Sequence, residues 1–220
     1  MTGQRTRRVG PASDKIDFKK QLDVYRARRG GFRMVEVPRL QYLMIDGHGD
    51  PNTSRGFGEA IESLYPVAYA MKFASKTRLG RDYVVPPLEG LWWADDMAVF
   101  TEARDKSAWD WTLMLMVPDW LGDEEFEAAI ERVRAKGGTS LLPRVRLDAL
   151  SEGPCLQTLH VGSFDDETEV LDRLHHGIIP ERGLRLAGTH HEIYLSDIRR
   201  VASEKQRTIL RQPVADDRES

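Results

Sequence analysis

The sequence predicts an α+β fold of two fused β-α-β-β modules related by a pseudo-two-fold axis. Apolar residues alternate in some short segments, as in strands, and recur every three or four positions in others, as in helices. The two halves also share one order of elements: a strand, a glycine-bearing loop, a helix and two further strands. Identity between the halves is weak, so the alternative is a common α+β pattern without duplication. If the duplication is real, the cleft between the modules is the natural ligand site.

Eight segments have the alternation or the short apolar composition of strands. Glycine and proline mark most of their ends, and Gly47-His48-Gly49 forms a loop whose glycines permit backbone angles closed to other residues. The charged segment 95–106 is predicted to be a loop. The predicted strands span residues 32–37, 41–46, 88–93, 109–117, 145–150, 155–161, 191–195 and 207–211.

Four helices are predicted from composition and periodicity. The helix at 56–73 has an apolar face spaced at three and four residues, and Pro66 is expected to kink or split it. The helix at 123–136 has Asp123 as its N-cap and Gly137-Gly138 as its stop. Residues 14–28 have helix-forming composition, and a fourth helix is expected from Asp165 or Asp166 to about His176.

Composition describes an ordinary protein of 220 residues, with 40% hydrophobic and 30% charged residues. A net charge of −3 without a clustered basic face argues against direct nucleic-acid binding. Cys155 is the only cysteine, so no disulfide can form within the chain, which suits a reducing cytoplasm. No apolar run approaches the roughly 18 residues of a membrane span. We expect a cytoplasmic protein with one domain at 14–214 (modules at about 32–118 and 144–214) between disordered tails at 1–13 and 215–220.

The strand that begins at His191 carries the strongest candidate site. Alternation places Glu192 and Tyr194 on one face and Ile193 and Leu195 on the other. If a pocket lies across the sheet, the carboxylate and the phenol form a site. If water lies there, the pair is the solvated face of a strand, as is usual for charged residues. The sequence alone leaves both readings open.

Several other residues are candidates for the same cleft. Glu89 occupies the equivalent strand of the first half and is either a second cleft carboxylate or a structural hydrogen-bonding group. Trp92, Trp93, Trp109 and Trp111 form a dense aromatic set that suits planar or cationic ligands, or a core. Trp92 and Trp93 face opposite ways, and Trp93 is preferred because it shares a face with Glu89. His160 is a further ligand-binding candidate, or else a satisfied polar residue at a strand end, and the histidine spacing predicts no metal site.

The segments resemble the GyrI-like small-molecule-binding family, and more narrowly its stand-alone bacterial branch. No single motif is diagnostic, but their order and spacing are specific over roughly residues 15–214. The resemblance rests on YLMIDGHGDP (42–51), LYPVAYAMK (64–72), LEGLWW (88–93), residues 109–118, GPCLQTLHVG (153–162), HHEIYLSDIRR (190–200) and TILRQPV (208–214).

The resemblance implies duplicated SHS2-type β-α-β-β modules, a central cleft for aromatic or cationic small molecules, and no cofactor. It implies that Glu192 sits in that cleft among aromatics, where desolvation would make it a better base. Some stand-alone members hydrolyse the cyclopropane of DNA-alkylating natural products with a glutamate and a tyrosine, and Glu192 and Tyr194 are the nearest matches. Tyr42, Tyr65 and Tyr69 are alternatives for the tyrosine. A non-catalytic binder of aromatic cationic drugs is the second hypothesis, and a gyrase-modulating partner rests on the family name alone.

Overall fold

An antiparallel sheet is the framework of the computed structural model, which describes residues 15–94, 105–197 and 200–217. The predicted tail at 1–13, most of the predicted loop at 95–106 and the last three residues of the predicted tail at 215–220 lie outside these ranges. All eight predicted strands are present, with a short additional one at 184–186. The strands are β1 Arg33–Val37, β2 Leu40–His48, β3 Leu88–Trp93, β4 Asp110–Val117, β5 Arg146–Leu150, β6 Gly153–Val161, β7 Leu184–Leu186, β8 His190–Tyr194 and β9 Arg207–Asp216.

The order of strands brings the two halves of the chain together at the centre of the sheet. It reads β1-β6-β9-β8-β3-β4-β2-β5, and β7 pairs with the end of β9. The central neighbours β3 and β8 are antiparallel, with Gly90 opposite Glu192 and Glu89 opposite Ile193. Because paired residues point to the same side of a sheet, this register decides which side chains share a face.

The helices cover the sheet unevenly. They are α1 Phe18–Gln21, α2 Arg55–Arg78, α3 Asp123–Arg134, α4 Thr168–Asp172 and α5 Ile179–Glu181, with a π-helical segment Arg173–Ile178 between the last two. Pro66 lies inside α2 and does not split it. The helix predicted from Asp123 is confirmed, although Gly122 occupies the N-cap position and Asp123 is the first helical residue. No described helix is long and apolar enough to cross a membrane.

The helix predicted at residues 14–28 is wrong. The chain is helical for only four residues in α1, turns extended at Leu22 (φ −84°, ψ 130°), and makes one 3-10 turn at Asp23–Tyr25. The physical reason is tertiary, because the carbonyl of Val24 accepts hydrogen bonds from Gln157 and Arg211 inside the protein. A continuous helix would use that carbonyl within its own ladder.

The two faces of the sheet have different covers. The helix-covered face, which carries Ile45, Leu113, Trp92 and Tyr194, packs against α2 and α3. Leu156 on the same face packs against the segment that follows β6. The opposite face, which carries Tyr42, Met114 and Ile193, packs against the N-terminal segment through Val24 and Tyr25. Both faces are therefore buried, and polar residues on either must find partners inside the protein.

Candidate functional site

Glu192 and Tyr194 lie side by side on the helix-covered face of β8. Glu192 stands opposite Gly90 on β3 and Leu210 on β9, whereas Ile193 points into the opposite core. The residue Glu192 is 9% exposed and Tyr194 is 4% exposed. The reading of Glu192 as part of a solvated face is therefore wrong, since α2 and the segment after β6 cover this side of the sheet.

The hydroxyl of Tyr194 is committed to its neighbours. It accepts a hydrogen bond from Trp92 Nε1 at 3.0 Å and interacts electrostatically with the neighbouring Glu192 carboxylate. Burial and the nearby Glu192 carboxylate raise the pKa of Tyr194 well above its usual value of 10, so the phenol stays protonated. Gly90 permits this arrangement, because a Cβ at that position would lie 3.0 Å from both Trp92 Nε1 and Tyr194 Oη.

His190 is the second polar neighbour of Glu192. Its Nε2 atom lies 3.6 Å from Glu192 Oε1, and the two side chains are 11% and 12% exposed. Among the described residues, neither ring nitrogen of His190 has a hydrogen-bond partner. The ring of His175, from the π-helical segment, stands edge-on to it with centroids 6.0 Å apart. Single π-helical turns are frequent at functional sites.

Aromatic rings surround the polar cluster of Glu192, Tyr194, His190 and His175. Trp92 stacks on Phe57 at 6.0 Å and meets Trp109 edge-on at 5.7 Å. Phe164 meets Tyr194 edge-on at 5.7 Å. Trp111 is 1% exposed and fills the core beneath Phe57, with centroids 5.2 Å apart. The site is therefore a polar cluster within an aromatic layer.

The predicted preference for Trp93 over Trp92 is wrong. Trp92 stands opposite His190 on the helix-covered face, and Trp93 points to the other side of β3 with Glu89. The alternation predicted for β3 is correct, since Trp93 shares a face with Glu89. The assumption that this face also carries Glu192 is wrong. Trp93 therefore does not belong to the polar cluster around Glu192.

Glu89 is fully buried on the opposite face and does not share a cleft with Glu192. Its Oε1 atom accepts a hydrogen bond from Tyr25 Oη at 2.6 Å, and His191 Nε2 lies 2.9 Å from its Oε2 atom in an ion-pair contact. Tyr42, which is 1% exposed, packs in the core of the same opposite face, so it does not share a face with Glu192. The expectation that Glu89 and Tyr42 line the cleft of Glu192 is therefore wrong, because the register of β3 with β8 places Glu89 on the opposite face.

The contacts of Glu89 extend into a buried ionic network of Glu89, His191, Glu152 and Arg211. His191 Nδ1 lies 3.0 Å from Glu152 Oε1, and Arg211 Nη1 donates to Glu152 Oε2 at 2.9 Å. Burial acts to lower the pKa of His191, but the carboxylates of Glu152 and Glu89 have the larger combined effect, so the pKa is raised. Burial would raise the pKa of Glu152, but His191 and Arg211 lower it to about 2. Two acids and two bases thus compensate one another without water.

A pocket of about 500 Å3 adjoins the polar cluster at Tyr194. Tyr65 and Tyr69 of α2 stack at 6.3 Å along one wall, and Pro86 and Pro87 form another. The Glu192 carboxylate is not part of this lining; it lies behind Tyr194, two residues earlier on the strand. The lining also includes Asp17 and Asp197 beside Lys19 and Arg200, so its charges balance.

His160 does not line the pocket; it lies on the face of Tyr194, two strands away across Thr208 of β9. It is 6% exposed, and its Nε2 atom lies 3.0 Å from the Ser163 carbonyl oxygen in a hydrogen bond. This placement agrees with its reading as a satisfied polar residue at a strand end. Within the described residues, no group of three or more His, Cys, Asp or Glu side chains could hold a metal ion.

His175 makes stability depend on pH in the mildly acidic range. Burial, followed by the nearby His190 and His176, lowers its pKa from 6.5 to about 4. The unfolded chain therefore binds this proton more tightly, so stability falls as pH drops from about 6.5 to about 4. We expect the His175→Gln variant to lose less stability over that range, by about 2 kcal/mol, in urea unfolding at a series of pH values. The exposed His176→Gln variant serves as control, and an unchanged pH slope in His175→Gln would contradict the assignment.

Comparison with known proteins places the chain among small-molecule-binding domains. The model of the GyrI-like small molecule binding domain matches residues 32–215. The chain belongs to the GyrI-like family. No curated protein matches it significantly.

Several solved structures share the fold. An uncharacterized conserved protein from Listeria innocua is 39% identical, with a TM-score of 0.82 over 91% of this chain and all of the other. A hydrolase encoded by lin2189 from Listeria innocua is also 39% identical, with a TM-score of 0.81 and the same coverage. The C-terminal domain of EcmrR is similar in fold only, with 13% identity and a TM-score of 0.55 over 84% of this chain and 98% of that domain.

Proposed function

We propose that this GyrI-like protein is a hydrolase that opens the cyclopropane ring of DNA-alkylating natural products, with Glu192 as the base. The observation that carries the proposal is the Glu192 carboxylate, which is nine-tenths buried in an aromatic layer beside Tyr194 and His190. The similar Listeria innocua protein described as a hydrolase supports an enzymatic reading. Detoxification would follow, because the strained ring is the alkylating group.

The proposed reaction adds water to a cyclopropane conjugated to a dienone. Glu192 takes a proton from the water, whose oxygen bonds to a cyclopropane carbon. The carbon–carbon bond breaks, and its electron pair makes the dienone an aromatic phenolate. Tyr194 adjoins Glu192, and its hydroxyl is fixed by the hydrogen bond from Trp92 Nε1. We therefore assign Tyr194 a positioning role beside Glu192.

The adjoining pocket supplies room for the remainder of an elongated aromatic ligand. Its wall of Tyr65 and Tyr69 offers flat rings for stacking, and its volume of about 500 Å3 lies within the range of small-molecule sites. Tyr69 is 46% exposed and is therefore accessible to a ligand. Trp92 and Trp109 extend the aromatic surface toward Glu192.

We also infer that the fold is a duplication of β-α-β-β modules within one domain spanning 14–214. Outward from the central pair, the sheet reads β8-β9-β6 in one direction and β3-β4-β2 in the other. In each half the first strand of the module is outermost and the second is central. This order supports a pseudo-two-fold axis between β3 and β8, next to the polar cluster.

A non-catalytic binder of aromatic, cationic drugs is the second candidate. The observation that favours it is the pocket lining, which holds stacked tyrosines but not the Glu192 carboxylate. Cations are attracted to such ring faces. Binding without product, measured by tryptophan fluorescence quenching with a cationic dye, would favour this candidate over the hydrolase.

The Glu192→Gln variant tests the hydrolase proposal. We expect turnover of a cyclopropane–dienone compound, followed by product chromatography, to fall by about 100-fold or more, because the amide cannot take the proton from water. The control is Glu181→Gln, which changes an exposed carboxylate on α5 and is expected to leave turnover unchanged. Absence of turnover in the wild-type protein, or equal turnover in Glu192→Gln, would overturn the proposal.

A further inference from the structure

We propose that His190 is the acid that protonates the ligand oxygen while Glu192 acts as base. The inference rests on the proposed function and assigns a second catalytic residue to the same site. The proposed reaction needs a donor to the carbonyl oxygen that becomes the phenolate. The Tyr194 hydroxyl is already engaged with Trp92 Nε1 and the Glu192 carboxylate, whereas the His190 imidazole of the same polar cluster has no hydrogen-bond partner among the described residues.

His190 has the geometry for this task. Both of its ring nitrogens are without a hydrogen-bond partner within the described part of the chain, although its side chain is 11% exposed. Buried polar atoms normally have partners, and unpaired ones require an explanation such as a catalytic role. The position opposite Trp92 places the imidazole between the indole and the Glu192 carboxylate, where a planar ligand would lie against the aromatic layer.

His190 is flanked by a carboxylate and a second imidazole of the polar cluster. Glu192 Oε1 lies 3.6 Å from Nε2. His175 faces the ring from the π-helical segment, and its pKa of about 4 leaves it neutral at pH 7. The residue opposite on β3 is the uncharged Trp92, and Arg211 belongs to the network on the opposite face. Glu192 and His190 are thus neighbours, as a base and an acid that act on one ligand must be.

The step balances with water as the only co-reactant. Water bonds to the cyclopropane carbon through oxygen and loses a proton to Glu192. The broken carbon–carbon bond delivers its electron pair to the ring, and the former carbonyl oxygen takes a proton from His190. Glu192 then returns its proton to His190, which restores the pair. The sum is the addition of one water molecule.

The test compares His190→Gln with wild type and with His176→Gln, which changes a histidine whose side chain is 69% exposed. We expect kcat of His190→Gln on a cyclopropane–dienone compound to fall about 100-fold or more, while the Kd from tryptophan quenching changes less than about threefold. The alkaline decline of the wild-type kcat profile is expected to disappear. His176→Gln should match wild type in all three measurements.

Two results would overturn the inference while leaving the hydrolase proposal intact. One is a kcat of His190→Gln within about threefold of wild type. The other is a loss expressed in Kd rather than kcat, which would make His190 a binding contact. A wild-type protein without turnover would instead defeat the hydrolase proposal and this inference together. His190→Asn is measured in parallel, with unfolding curves for both variants, so that a folding defect in one does not decide the result.

Discussion

Replacing Arg211 with methionine is expected to lower the free energy of unfolding by about 3–5 kcal/mol. The guanidinium is 1% exposed and donates to Glu152, to the Gln157 side chain and to the Val24 carbonyl. Methionine fills much of the volume but leaves two carboxylates with one imidazolium in a buried site. Urea unfolding followed by tryptophan fluorescence measures the change.

The matched control for this substitution is Arg55→Met. Arg55 pairs with Glu59 at 2.7 Å one helical turn away, but its side chain is 91% exposed. Exposed pairs of this kind contribute little, so we expect a change within about 0.5 kcal/mol. Equal effects of the two substitutions would show that the buried ionic network contributes no more than a surface ion pair.

The pH dependence of Arg211→Met gives an independent measurement of the same network. Glu152 has a pKa of about 2 in the folded protein against an ordinary value of 4.5. Its contribution is therefore present above pH 4.5 and is lost as pH falls toward 2. Because Arg211 helps to lower that pKa, the acid loss between pH 4.5 and 2 should be smaller in Arg211→Met than in wild type.

Gly47→Ala is expected to destabilise the protein by about 3 kcal/mol, through a direct clash. A Cβ at Gly47 would lie 2.0 Å from Trp111 Cη2 and 2.2 Å from its Cζ2 atom. The indole has no room to move, because Phe57 packs against it and its Nε1 atom donates to the Gly49 carbonyl at 3.2 Å. Thermal unfolding would show the loss as a fall in Tm of roughly 10 °C.

Gly58→Ala is the control for the methyl group itself. Gly58 is exposed within α2, and a Cβ there meets nothing within 4 Å. Alanine is favoured over glycine in a helix, so we expect Gly58→Ala to stabilise by about 1 kcal/mol. A neutral Gly47→Ala variant would mean that Trp111 can move aside at little cost.

The sequence predicted the elements well where periodicity is local. Alternation placed Glu192 and Ile193 on different faces, and glycine at 137 marked the end of α3. The sequence correctly indicates that Gly47 and Gly49 are required in the 47–49 loop, but it suggests backbone freedom as the reason for both. Only Gly49 of the two has a positive φ (96°), whereas Gly47 is required by the approach of Trp111 from a strand 64 positions away.

The missed features depend on pairings between distant strands. The faces of Glu89 and Trp93 follow from the register of β3 with β8, which no local pattern contains. The same absence of register hid His191 and Arg211, since polar residues in a strand are normally read as exposed. The adjacent histidines at 190 and 191 could have indicated the buried network. Neighbouring side chains in a strand point to opposite faces of the sheet, so when both faces are buried each histidine lies in a different core.

The position of β9 has a consequence for how the protein folds. β8 and β6 do not pair with each other but are joined through β9, which is the last strand along the sequence. During synthesis, the half of the sheet that holds Glu192 stays incomplete until residues 207–216 have emerged from the ribosome. Trp92 and Tyr194 share a hydrogen bond across 102 positions, through the direct pairing of β3 with β8. Such long-range pairing is slow, so ligand binding should appear as a late event in refolding, after the local helices have formed.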